Sequence, residues 1–198
     1  MKYTILPFLL ASCLFAQEKA TDLFNANIKF IGIGIQYEKS LSDNFTAVGT
    51  IDYIGGFSYT TDWNGEGDLN YIFTTSLNLE GRYYYNFDRR ISKGKNTKNN
   101  SANYIALKGI YIPDLFTSAS DNKTVDPQGS VVINYGLKRS FSKNFFYEFY
   151  TGLGIAFYQD KNYYYDFNYE TQTEYRRISK KVDKGIMLDL GFRVGYNF

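Results

Sequence analysis

Ile186-Met-Leu-Asp-Leu-Gly-Phe-Arg-Val-Gly-Tyr-Asn-Phe198 alternates without a break and stops on an aromatic residue. One face carries Ile186, Leu188, Leu190, Phe192, Val194, Tyr196 and Phe198; the other carries Met187, Asp189, Gly191, Arg193, Gly195 and Asn197. A period of two belongs to a β-strand, whose successive side chains point to opposite faces. A strand that is apolar on one side and charged or small on the other suits a closed barrel in lipid. There the outer face meets acyl chains and the inner face meets water or other polar groups.

With Leu190, Phe192, Val194, Tyr196 and Phe198 at alternate positions, this terminus resembles the C-terminal insertion signal of Gram-negative outer-membrane β-barrels, which typically ends in Phe. The resemblance implies an all-β fold, an antiparallel up-and-down transmembrane β-barrel placed in the cell outer membrane. It also implies outer-membrane lipid and lipopolysaccharide as surroundings, and the barrel assembly machinery as a partner during insertion.

The opposite end points to the same compartment. Met1-Lys2, the apolar run Tyr3 to Phe15 and a small residue at Ala16 read as a cleaved secretory signal peptide, too short for a membrane span. Residues 1–16 are thus expected to be signal and 17–198 the barrel domain, 198 − 16 = 182 residues. The competing reading is a lipobox at Leu10-Ala-Ser-Cys13, with Cys13 lipidated. It is the weaker one, because the apolar run continues past the cysteine and little precedes it.

Composition excludes chemistry. The one cysteine lies in the signal and the chain has no histidine, so thiolate chemistry, nearly all zinc sites and the usual nucleophile–base pairs are unavailable. The outer-membrane phospholipases, lipid A acylases and deacylases, and omptin proteases rely on a catalytic histidine. The expectation is therefore no enzyme, with no catalytic residue, no cofactor and no metal. Charge is nearly balanced, 22 Lys and Arg against 20 Asp and Glu, so no field draws the protein to nucleic acid. Mean hydropathy is −0.36 although 44% of residues are hydrophobic. Barrel strands reconcile the two, because half of each strand faces away from lipid.

Strands are expected near 27–38, 45–59, 70–86, 103–112, 129–139, 145–159 and 184–198. That makes seven where bacterial barrels have even numbers, so eight are expected, the missing one coming from Glu18 to Ala26 or Tyr163 to Thr173. Pro113 and Pro127 sit at strand ends, where a missing N–H is tolerated. Ser40-Leu-Ser-Asp-Asn44 and Ser140-Phe-Ser-Lys-Asn144 are near copies and read as periplasmic turns. The longer polar stretches Thr60 to Leu69, Asp114 to Gln128 and Asp160 to Asp183 read as outside loops. The Asn86 to Ala102 connection falls on the periplasmic side, and its basic run reads as a solvated turn rather than an anion-binding segment. With Arg82-Tyr-Tyr-Tyr before it and Asn103-Tyr-Ile after it, it resembles a family of small outer-membrane β-barrel proteins, similar in kind to the eight-stranded non-porin barrels.

Phasing from the outward aromatics points Asp52, Glu80, Glu148 and Asp189 inward together with Arg82, Lys108, Lys138 and Arg193. Eight strands enclose a space that side chains just fill, so a lumen charge network of paired groups is expected rather than an open pore. Gly32, Gly34, Gly152, Gly154, Gly191 and Gly195 relieve crowding within strands and are not a nucleotide-binding loop. Tyr83, Tyr85, Phe145 and Tyr147 fit an interfacial girdle. Tyr163, Tyr164, Tyr165, Tyr169, Tyr175, Arg176 and Arg177 form a candidate binding loop for an extracellular protein or glycan, or else continue the strands as a hairpin. Asp62 to Asp68 resembles a calcium loop only in part, since Phe73 stands where a bidentate Glu is needed.

Three function classes follow. The first is a small closed outer-membrane barrel with a structural or surface-interaction role; the alternative is a narrow channel for ions or small solutes. The third, a soluble lipocalin-like barrel, requires an apolar interior and a polar exterior, opposite to this phasing.

Overall fold

The computed structural model describes residues 20–61, 67–120, 124–168 and 173–198, side chains at 160–178 and 180 excepted. The signal segment, residues 62–66 of the partial calcium pattern and Tyr169 lie outside the described residues.

The strands are β1 (Leu23–Lys29), β2 (Gly32–Ser40), β3 (Phe45–Thr61), β4 (Gly67–Tyr83), β5 (Asn103–Ile112), β6 (Ser118–Ala119), β7 (Gln128–Ser140), β8 (Phe145–Asn168) and β9 (Thr173–Asn197). All pairings are antiparallel, in one nine-stranded sheet. Eight strands form a closed ring in the order β1, β2, β3, β4, β5, β7, β8, β9, with β9 returning to β1 through pairs from Asn25↔Asn197 to Lys29↔Arg193. The two-residue β6 pairs with β4 beside it. The closing β1–β9 pairing covers only residues 193–197 of β9, because the short β1 ends at Lys29.

The expected strand at 27–38 is corrected to two strands. Phe30 and Ile31 turn the chain so that Lys29 pairs with Gly32, and Leu23 to Ala26 belongs to β1, which supplies the eighth ring strand. Neither turn residue is a usual hairpin former. The conformational demand falls on Gly32, at φ +136°, where a Cβ would stand 2.4 Å from the Tyr53 carbonyl oxygen. The stretch expected as a loop from Asp160 to Asp183 is largely strand. β8 and β9 stay paired from Phe145↔Tyr196 to Asn168↔Thr173, whereas β8 leaves β7 at Tyr158, so a two-stranded hairpin runs beyond the ring.

The twin turns Ser40 to Asn44 and Ser140 to Asn144 do close neighbouring strands, at the end of the ring called here the near end. Equivalent bonds hold them: Leu41 N–H to Phe45 O at 2.9 Å and Phe141 N–H to Phe145 O at 3.2 Å. Each final Asn carbonyl then accepts from the next strand, Asn44 from Tyr84 N–H at 2.7 Å and Asn144 from Asn197 N–H at 2.8 Å. The longer connection at this end folds into a short helix, α1 (Phe87–Ser92), and one 3-10 turn, Lys98–Asn100. Phe87 is fully buried and pins α1 across the ring end against Tyr84, ring centroids 4.9 Å apart. Ala20, Tyr84, Phe87, Ala102, Tyr104 and Ala106 make one buried apolar cluster there.

Alternation is kept round the ring, with the ordinary arrangement of inside and outside inverted. Outward stand Ile33, Ile35, Ile51, Leu77, Leu79, Leu107, Ile133, Leu153, Ile186 and Leu188, with Leu79 74% and Ile186 91% exposed. Inward and buried stand Asn25, Asn27, Gln36, Thr50, Ser76, Asn78 and Asn134, together with the charges described next.

Candidate functional site

Register places opposite charges directly across neighbouring strands: Glu80 faces Lys108, and Glu148 faces both Lys138 and Arg193. Directly opposed side chains are the closest neighbours a sheet offers. The closed ring adds contacts from strands far apart in sequence.

At the near half of the interior six charges form one cluster. Arg193 grips Glu148 with both Nε and Nη2, at 3.0 and 2.8 Å. Arg82 Nε donates to Glu80 at 2.8 Å, while its Nη2 lies 3.1 Å from the same Glu148. Lys138 donates to Glu38 at 2.9 Å, and Tyr84 and Thr46 donate to the other oxygen of that carboxylate at 2.7 and 2.9 Å. Tyr104 donates to Glu148. Looser approaches of 4.0 Å, Arg82 to Glu38 and Arg193 to Glu80, join the pairs. Three carboxylates thus meet three cations, all of them buried.

Farther along the interior, Lys108 and Asn134 both donate to Asp189, at 2.9 and 2.7 Å. Lys29 and Asn78 bind Asp52, the second at 2.9 Å. Five cations, Lys29, Arg82, Lys108, Lys138 and Arg193, therefore balance five carboxylates, Glu38, Asp52, Glu80, Glu148 and Asp189. Aromatic faces support the cations. Arg82 lies 4.5 Å from the Tyr104 centroid, Lys138 4.9 Å from Phe146, and Lys108 4.7 Å from Tyr150. Such contacts gain strength where water is excluded.

Eight of these ten residues, Asp52, Glu80, Arg82, Lys108, Lys138, Glu148, Asp189 and Arg193, are those expected from alternation. All eight face the interior. Glu38 and Lys29 were missed. Glu38 was legible, since Ile33, Ile35 and Tyr37 face outward and the positions between them must face in. Lys29 was not, because reading 27–38 as one strand put it on the outward face. The two-residue turn reverses that parity, as any one-residue slip in a strand does.

Of the other expected positions, Leu190, Phe192, Val194, Tyr196 and Phe198 all face outward on or just after β9. The Phe198 N–H reaches the Phe24 carbonyl at 2.9 Å. Tyr83, Tyr85 and Phe145 are exposed at the near end, Tyr147 half-exposed. Tyr163, Tyr164, Tyr165, Tyr175, Arg176 and Arg177 belong to the projecting hairpin, with side chains outside the described residues.

Chemically, the network locks charges rather than exposing them. Each carboxylate is held by a cation or by hydroxyl and amide donors, and among the described residues no group of three or more acidic or sulfur ligands converges on a metal position. No protein-family model, curated protein or solved structure matches this chain.

Proposed function

We propose that this chain is a small integral outer-membrane β-barrel of eight strands, without enzymatic activity, that has a side-chain-filled lumen and serves a structural or surface-interaction role. The observation that carries the reading is the inverted distribution: paired charges and amides inside a closed ring, and Ile, Leu, Val and aromatic side chains outside it. In water such an exterior leaves apolar surface far beyond the few hundred Å² that soluble monomers expose. In lipid it is the favoured surface, and strand-to-strand pairing satisfies backbone groups where water cannot. A soluble lipocalin-like barrel needs the opposite arrangement.

In this reading a cleaved signal peptide delivers the chain, the terminal strand is the signal read by the assembly machinery, and outer-membrane lipid and lipopolysaccharide surround the ring. The near end faces the periplasm. The β8–β9 hairpin then stands outside, and its sequence, rich in Tyr with Arg176 and Arg177, suits contact with an extracellular protein or glycan.

The second reading, a narrow channel for ions or small solutes, draws on buried polar atoms that have no protein partner. Both polar atoms of Gln36, Thr50 Oγ1 and Asn134 Oδ1 lie beyond the six-charge cluster, toward the far end. Groups of this kind are ordinarily satisfied by water. Against conduction stand the ion pairs and the apolar cluster around Phe87.

The test is planar-bilayer conductance of the refolded mature protein, using only preparations whose unboiled gel mobility differs from the boiled form. Silence is expected. Discrete steps overturn the filled lumen and make Asp52, Glu80, Arg82, Lys138 and Arg193 the selectivity candidates.

A further inference from the structure

Beyond the lumen, the near end gathers a second set of charges. α1 is pinned by Phe87, and after it Gly94, at φ +61°, turns the chain so that Lys95 N–H reaches the Arg90 carbonyl at 2.9 Å. This hook sets Lys93 and Lys95 beside Arg89 and Arg90. Asn103 of β5 and Arg139 of β7 form the facing wall, and Asn86 completes a cavity of about 230 Å³. Five of its seven lining residues are cations, and Asp88 does not line it. No carboxylate is among the residues that line it.

The arginines are held but not satisfied. Arg90 uses Nη2 on the Asn96 carbonyl at 2.7 Å, and its buried Nε has no partner among the described residues. Arg139 uses Nη1 on the Lys138 carbonyl at 2.7 Å and Nη2 on the Asn103 side chain. Each guanidinium offers five N–H donors, so most have no protein acceptor among the described residues. Burial first, and then the charge of Arg139, hold the Arg90 guanidinium below its ordinary value, as expected of cations gathered without an anion.

A route to the outward face is also present. Asn103 donates to Tyr135 Oη at 2.7 Å and to Tyr85 Oη at 3.2 Å, and both tyrosines are exposed. In a membrane such tyrosines lie at headgroup depth. The planar forks of Arg90 and Arg139 match phosphate oxygens, and the lysines add charge without geometry.

We propose that Arg90 and Arg139, with Lys93 and Lys95, bind a phosphate ester at the near end, and that its source is the headgroup of an anionic phospholipid in the adjoining leaflet. The choice of source rests on the membrane reading above; the phosphate chemistry does not.

The full mature chain is refolded in a detergent with a neutral sugar headgroup, checked for heat-dependent gel mobility, and incubated with equal amounts of phosphatidylglycerol and phosphatidylcholine. Native mass spectrometry then reads retained lipid. Phosphatidylglycerol is expected to be retained about tenfold better, because both lipids offer the same phosphodiester but only phosphatidylcholine adds a quaternary ammonium that the five cations of the pocket repel. Arg90→Gln with Arg139→Gln brings the ratio to near one, and Lys184→Gln, exposed at the other end, leaves it unchanged. If the double variant fails to fold, Lys93→Gln with Lys95→Gln, both exposed, replaces it and lowers the ratio. Soluble glycerol phosphate is titrated in parallel by calorimetry. Binding of glycerol phosphate with no preference between lipids overturns the lipid source and leaves the phosphate chemistry standing; no binding in either arm overturns the whole proposal. A chain that never shows the folded gel form counts against the membrane reading instead, and glycerol phosphate titrated into that soluble protein decides the pocket.

Discussion

The Tyr150 ring lies across Gly191, its partner in register on β9, so closely that a Cβ at 191 would stand 2.2 Å from the phenol Cζ. Phe146 covers Gly195, and Tyr104 covers Gly136, in the same way. In each case the missing side chain makes room for an interior ring, and that ring backs a cation: Lys108 and Arg193 at Tyr150, Lys138 at Phe146, Arg82 at Tyr104. Gly191→Ala is therefore expected to destabilise by about 1–3 kcal/mol through overpacking. Combined with Tyr150→Ala, which removes the obstructing ring, it should cost much less. Urea unfolding of the single and double variants measures the coupling, and strict additivity would contradict the packing account.

Glu148 touches Arg193, Arg82 and Tyr104 at once. Glu148→Gln leaves two buried arginines short of their anion and should cost about 3–5 kcal/mol, far more than an exposed pair would. The measurement is the urea midpoint of the unboiled gel form. A loss under 1 kcal/mol would mean that water reaches the cluster freely.

Leu79 points outward between Gly49 and Gly109, its register partners on the two flanking strands. If that face meets lipid, Leu79→Arg should destabilise the ring in bilayers by about 2–4 kcal/mol. Leu115→Arg, at an exposed position in the far-end connection, should have little effect. Equal tolerance at both positions would favour a water-exposed exterior.

Phe87 is the anchor of α1. Phe87→Ala should cost about 3–5 kcal/mol. It should also release the segment carrying Arg89, Arg90, Lys93 and Lys95, making it a preferred site of limited trypsin cleavage. Unchanged cleavage would show that the hook from Lys93 to Lys95 holds without its anchor.

Asp22 precedes β1 at the near end and accepts from Lys39 Nζ at 2.5 Å and from Ser40 N–H at 2.8 Å. Its hydrogen bond from Lys39, then the one from Ser40, hold the carboxyl below the ordinary value of 3.8. A depressed folded value adds stability that is present in full above the unfolded value and fades as pH falls through the folded one. Asp22→Asn should thus be less stable than the parent at neutral pH, and the difference should close below the ordinary value of 3.8. Paired urea titrations across that range check the sign.

Alternation alone placed Asp52, Glu80, Arg82, Lys108, Lys138, Glu148, Asp189 and Arg193 on the interior face, because a strand's period ties each side chain's direction to its neighbours'. It could not reveal the partners. Arg82 reaches Glu38 and Glu148 only because the ring closes, and closure is a property of all eight strands together. The basic stretch from Arg89 to Lys98 reads as a solvated turn because its ordering anchor, Phe87, is one aromatic among many. Nothing local marks it as buried.

The strand period, the apolar face of each long strand, the twin turns, the absence of histidine and the near balance of charge are all legible in the order of residues. Those features belong to single residues and their nearest neighbours along the chain. The break at Phe30 and Ile31, the parity of Lys29, the pairing of five cations with five carboxylates and the hook beside Arg139 emerge only on folding. Each depends on residues far apart in the chain being brought together, and only strand register and ring closure set those distances.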